Sequence, residues 1–152
     1  MTTDPGQDSV GGERHEFCGA SWVDCVRALI GESVAELDLS GITMSFSEEL
    51  TDPPAHLLNP GRSTVGWHYR IANGTLSVEG QPMHDADLRM IGDYDTVVVL
   101  ARLPYADPEI GPLAEAALNA GTLRYEGSSE GGDRRVLKAM TSLHDNLVPL
   151  TA

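Results

Sequence analysis

The chain of 152 residues is long enough for one domain with a proper core, and its 10 Lys and Arg against 23 Asp and Glu give a formal net charge of -13. That charge repels phosphate backbones and anionic lipid and leaves no basic patch, so nucleic acid is not an expected partner. No run reaches the length of a membrane span, and the N-terminus has no basic segment followed by an apolar one, which predicts a cytoplasmic protein, neither exported nor inserted in a membrane.

Residues 1–16 are polar, rich in glycine and without periodicity, and read as a disordered tail ahead of a single domain over 17–152. Cys18 and Cys25 have no second pair to complete a metal site and read as reduced thiols. Ser21 with Asp24 resembles a capping box, and Trp22, Val26, Leu29, Ile30, Val34 and Leu37 recur at helical spacing, which predicts an amphipathic helix over 22–37. From Gly41 to Leu50 the period changes to two. Ile42, Met44, Phe46, Glu48 and Leu50 share one strand face, and Thr43, Ser45, Ser47 and Glu49 share the other. Glu48 therefore lies on an apolar face, where a carboxyl must be paired, protonated or turned to a cavity. The prolines of 51–63 make a loop, with a turn around Ala55 to Leu58, that delivers Asp52 and His56 to the strand's end.

A meander follows. Trp67, Tyr69 and Ile71 alternate with His68 and Arg70, Leu76 and Val78 alternate with Ser77 and Glu79, and Ala86, Leu88 and Met90 alternate with Asp87 and Arg89. Asn73-Gly74 between the first two runs tolerates the positive φ of a tight hairpin. Asp93 caps a helix over 94–102, whose Val97-Val98-Val99 also suits a strand. Asp107-Pro108-Glu109 opens the next helix, with Ile110, Leu113, Ala117 and Leu118 on its apolar face and Gly121 at its end. Thr122 to Gly127 is a short strand. Asp133 then opens one last helix, lined by Val136, Leu137, Met140, Leu143 and Leu147, that runs to Pro149.

This order of parts, with Asp85-Ala86-Asp87-Leu88-Arg89-Met90-Ile91-Gly92 leading into a helix and Ala120-Gly121-Thr122-Leu123-Arg124-Tyr125-Glu126-Gly127 feeding the last one, resembles the sterol carrier protein family of small lipid-binding domains over about Trp22 to Leu147. The resemblance implies an α+β fold: a five-stranded mixed, largely antiparallel sheet covered on one face by helices, with a hydrophobic tunnel between the layers. The family's peroxisomal import signal is absent from Val148-Pro149-Leu150-Thr151-Ala152, which again points to the cytosol.

Three functions are compatible with this reading. The first is a module that binds a lipid, sterol or polyketide- or terpenoid-like molecule between sheet and helices, with Met44, Phe46, Glu48, Trp67, Tyr69, Met90 and Tyr94 as ligand-binding residues. The second is a cofactor-free isomerase, hydratase or cyclase in which Glu48 or Asp52 acts as acid or base and His56 assists. In the third, the same residues are plain core and surface, and the domain serves as a dimerisation or adaptor unit. A homodimer is compatible with each. His68 and Arg70 belong to the opposite sheet face, paired with Glu79 or Glu49. No two histidines have the spacing of a zinc site and no glycine-rich phosphate loop follows a strand, so neither metal nor nucleotide is expected.

Overall fold

In the computed structural model, which describes residues 13–152, Asn73 takes φ 55° and Gly74 φ 77°. Positive φ at both central positions is what a two-residue hairpin demands, and β2 (Thr64–Ala72) and β3 (Thr75–Glu79) pair antiparallel on either side of it. β1 (Met44–Thr51) lies antiparallel to β2 and parallel to β4 (Leu88–Asp93), and β5 (Leu123–Gly127) closes the sheet antiparallel to β4. The five-stranded order β3-β2-β1-β4-β5 is mixed through the single parallel pair β1/β4.

That parallel pair needs a pin where it begins, and a reciprocal exchange supplies one. The Ser45 amide donates to Asp87 Oδ2 (3.0 Å), and the Asp87 amide donates to Ser45 Oγ (2.9 Å). Next along β1, the wholly buried Ser47 accepts from the Met83 amide at 2.8 Å, which ties down the loop before β4. The register then places Met44, Phe46, Glu48 and Leu50 beside Ile71, Tyr69, Trp67 and Val65 on one face. The other face carries a row of charge. Arg89 bridges Glu49 (3.2 Å) and Glu126 (2.7 Å), and Arg124 reaches Glu126 at 3.1 Å. Glu49 is thus the partner of Arg89 rather than of His68 or Arg70, because β4 and not β2 presents a guanidinium at its level. His68 stands opposite Glu79 in register, while its Nδ1 bonds the Gln81 carbonyl oxygen at 2.7 Å.

Helices cover the apolar face. α1 (Ala20–Val34) buries Trp22, Val23, Val26, Ile30 and Val34, ending three residues before the expected Leu37. Its cap differs from the expected box. Gly19 is the N-cap without a side-chain bond, Ser21 Oγ engages His15 Nδ1 (2.9 Å), and Asp24 pairs with Arg27 (2.7 Å). α2 (Tyr94–Ala101) follows β4 directly, with the Asp93 carboxylate accepting from the Thr96 amide at 3.3 Å as its cap. The β-branched run of α2 is therefore helical. α3 (Ile110–Ala120) ends at Gly121 in the left-handed conformation, φ 79°. Its expected apolar face is largely open, with Leu113 41% and Leu118 47% exposed and only Ala117 buried.

The expected last helix is broken into α4 (Arg134–Ala139), a 3₁₀ turn at Met140–Ser142 and α5 (Leu143–Leu147). Thr141 Oγ1 donates back to the Lys138 carbonyl at 2.7 Å, a local competitor for the helical hydrogen bond. Residues 1–12 of the expected tail lie outside the described residues. Residues 13–16 are instead tied to the C-terminus. The His15 amide donates to Leu150 O (2.7 Å), Ala152 N donates to His15 O (2.8 Å), and Arg14 reaches Thr151 O (3.0 Å).

Candidate functional site

Between the sheet and the helices lies a cavity of about 850 Å³. Its floor is β1, β2, β4 and β5, contributing Phe46, Trp67, Tyr69, Met90 and Leu123. Its roof comes from α2, α3 and α5, through Val97, Leu100, Ala114 and Leu147. Tyr105 (60% exposed) and Tyr125 (53% exposed) belong to the same wall and mark where it reaches solvent. Tyr105 is held there by stacking on His144, ring centroids 4.3 Å apart, and by its amide, which donates to Asp145 Oδ1 at 2.9 Å.

The rings of the floor and of α1 form a continuous series. Trp22 lies 6.4 Å from Trp67, Trp67 5.6 Å from Phe46, and Phe46 6.2 Å from Tyr69, centroid to centroid. Glu48 stands among them. Its side chain is enclosed by protein, and the surface that leaves it only half-buried is turned to the cavity. Trp67 Nε1 donates to Glu48 Oε1 at 3.2 Å, and among the described residues no Lys, Arg or His forms an ion pair with it. Burial disfavours the charged carboxylate and lifts its pKa to about 7, against which the Trp67 bond acts.

The same burial keeps neighbouring groups neutral. The Cys18 thiol is raised by desolvation and then by the Glu48 charge, the Tyr125 phenol likewise, and Tyr69 is pushed up to about 12 by burial and then by Asp87. Thr151 closes the back of the cavity. It is wholly buried, donates from Oγ1 to Leu147 O (2.7 Å) and accepts from Trp22 Nε1 (3.1 Å).

Six of the seven residues singled out from the sequence for the ligand line this space: Met44, Phe46, Glu48, Trp67, Tyr69 and Met90. Tyr94 does not. Its hydroxyl donates to the Phe17 carbonyl at 2.8 Å and its ring packs against Phe17, which secures the N-terminal segment. Asp52 and His56 are also elsewhere. Asp52 takes φ 52°, which turns the chain away from β1, and it is exposed, while His56 Nε2 meets the Glu16 carboxylate at 2.8 Å on the surface. The structure therefore separates Glu48 from both groups expected to work with it. Sequence reasoning missed Tyr125, although Leu123 and Tyr125 alternate with Arg124 and Glu126 in the period-two signal that found the other strands. It also missed the roof, where helical periodicity alone does not say which side chains face a void. Among the described residues no cluster of three or more His, Cys, Asp or Glu could hold a metal ion, and no helix is long and apolar enough to cross a membrane.

A five-stranded mixed sheet with helices on one face and an apolar cavity between the layers defines a two-layer α+β fold. Solved structures share it. A conserved hypothetical protein from Thermus thermophilus, a candidate sterol carrier protein, is similar over 93% of this chain and 94% of its own, with 16% identity and a TM-score of 0.51. The crystal structure of sterol carrier protein 2 is similar over 90% of this chain and 100% of its own, with 13% identity and a TM-score of 0.53. The fold is that of the sterol carrier proteins. No family model and no curated protein sequence matches the chain.

Proposed function

We propose that this protein binds a hydrophobic or amphipathic small molecule, of lipid, sterol, terpenoid or polyketide type, in the space between sheet and helices. The observation that carries this reading is a cavity of about 850 Å³ walled by aromatic and aliphatic side chains around one enclosed carboxyl. Small-molecule sites are commonly roughly 300–1,000 Å³, mostly apolar, with a few placed polar groups that orient the ligand. Apolar burial would supply most of the affinity.

Native mass spectrometry of gently purified protein, with analysis of an organic extract, is the direct test. A stoichiometric apolar compound, or a rise in thermal stability with one class from a panel of sterols, long-chain alcohols, amines, acids and polyketides, is the expected result. An empty chain with no shift across the panel would overturn the reading. Ala114→Phe, which puts a ring into the cavity from α3, should raise the melting temperature of the free protein and abolish the ligand-induced shift.

A second reading, acid/base catalysis on the bound compound, is favoured by a Glu48 pKa of about 7. It would rest on Glu48 alone. Recovering the bound compound unaltered after prolonged incubation would remove it.

A further inference from the structure

The walls of the cavity are selective in charge as well as in polarity. Among the described residues, the only acids lining it are Glu48 and Asp87, and no Lys or Arg lines it at all. A ligand headed by a carboxylate or phosphate would therefore bring its charge against two acids and no Lys or Arg, the one basic group on the wall being His144, whose Nε2 already bonds the Leu103 carbonyl oxygen at 2.7 Å, in a protein that carries a net charge of -13. Among the described residues Glu48 has one hydrogen-bond donor, Trp67 Nε1 on Oε1, and none on Oε2. A carboxyl so placed lacks a cation and donors, and an ammonium group supplies both. The rings of Trp22, Phe46, Trp67 and Tyr69 add faces that attract a cation in a desolvated site.

Resting on the binding reading above and narrowing it, we infer that the ligand is a cationic amphiphile, an apolar body bearing a protonated amine, with Glu48 as its counter-ion and the surrounding rings as its cradle. Asp87, on the same wall, adds to the negative potential that draws a cation inward.

The test compares dodecylamine, dodecanol and dodecanoic acid, which share one chain and differ in the head group, by calorimetry on the full chain at pH 5.5 and pH 8. An alkylamine stays protonated at both, on the pattern of a lysine side chain at about 10.4. Its partner does not, because the Glu48 carboxyl with a pKa of about 7 is mostly neutral at the lower pH and ionised at the higher. The amine should bind at least tenfold tighter than the alcohol at pH 8, with the acid weakest. Its affinity should rise about 30-fold between the two pH values, the reciprocal of the small ionised fraction at pH 5.5.

The other groups around Glu48 are Cys18, Tyr69, Tyr105 and Tyr125, all raised and neutral over this range, together with Asp87 and His144. Glu48→Gln separates Glu48 from these last two, and it should remove both the preference for amine and the pH slope. An alcohol or acid that binds as tightly as the amine, or an amine affinity flat in pH or unchanged by Glu48→Gln, overturns the inference and leaves cavity binding standing. No binding by any of the three overturns both.

Discussion

Glu48 shows how one residue can be legible in a sequence while its neighbours are not. Period two places a carboxyl among Met44, Phe46 and Leu50, and any regular strand must then put it on the covered face. Asp52 lies only a turn beyond, yet its left-handed φ redirects the chain, and nothing in its spacing announces that. Tyr94 has the composition of a cavity residue, but the deciding fact is a carbonyl at Phe17, far off in sequence.

The Glu48 environment also has a thermodynamic signature. Its folded pKa of about 7 lies above the ordinary 4.5, so the native state keeps a proton that the unfolded chain has released. Stability should therefore fall as pH rises from about 4.5 to 7 and level off above, by up to about 3 kcal/mol. Urea unfolding at pH 5 and pH 8 measures the slope. Glu48→Gln should flatten it and be the more stable protein at pH 8.

At the scale of elements, the β1/β2 pair depends on a missing side chain. A Cβ at Gly66 would press into the carbonyl oxygen of Glu48 on the neighbouring strand, backbone against backbone, where no rotamer change relieves it. Gly66→Ala should cost about 3 kcal/mol in denaturant unfolding, and by shifting the strand that carries Glu48 it should also alter the pH dependence of stability. Gly127, at φ 85°, is constrained in a similar way against the Asp87 carbonyl, where β5 meets the start of β4. The strands, the Asn73-Gly74 turn, the Asp93 cap and the Gly121 stop were legible because each is set by residues within a few positions of one another. The capping box at Ser21, the unbroken last helix and the buried face of α3 were misread because periodicity and cap spacing do not show which hydrogen bonds the side chains make or where a void lies. His15 takes the Ser21 hydroxyl, a back-bond from Thr141 interrupts the helix, and the cavity leaves α3 without a continuous core to pack on.

For the molecule as a whole, the resemblance read from two short phrases led to the correct architecture, since strand order and helical cover follow from the succession of elements. The cavity did not follow from it residue by residue. Its closure depends on Thr151, whose hydroxyl joins Trp22 of α1 to the end of α5. Thr151→Val keeps the shape and strands the Trp22 indole N–H, at a cost of about 1–3 kcal/mol in urea unfolding. The same substitution leaves the main-chain bonds of His15 to Leu150 and Ala152 in place, so the His15 amide should keep its protection from deuterium exchange.

Arg14 and Thr151 are 137 positions apart, and their pairing has a consequence in time. At about 5–20 residues per second, the segment around His15 emerges from the ribosome roughly 7 to 30 s before its partner exists. In the later part of that interval, once Tyr69 has been added, the ringed face of the sheet has been synthesised but its last wall has not. A nascent chain of this fold presents its interior to the cell before it can shut it.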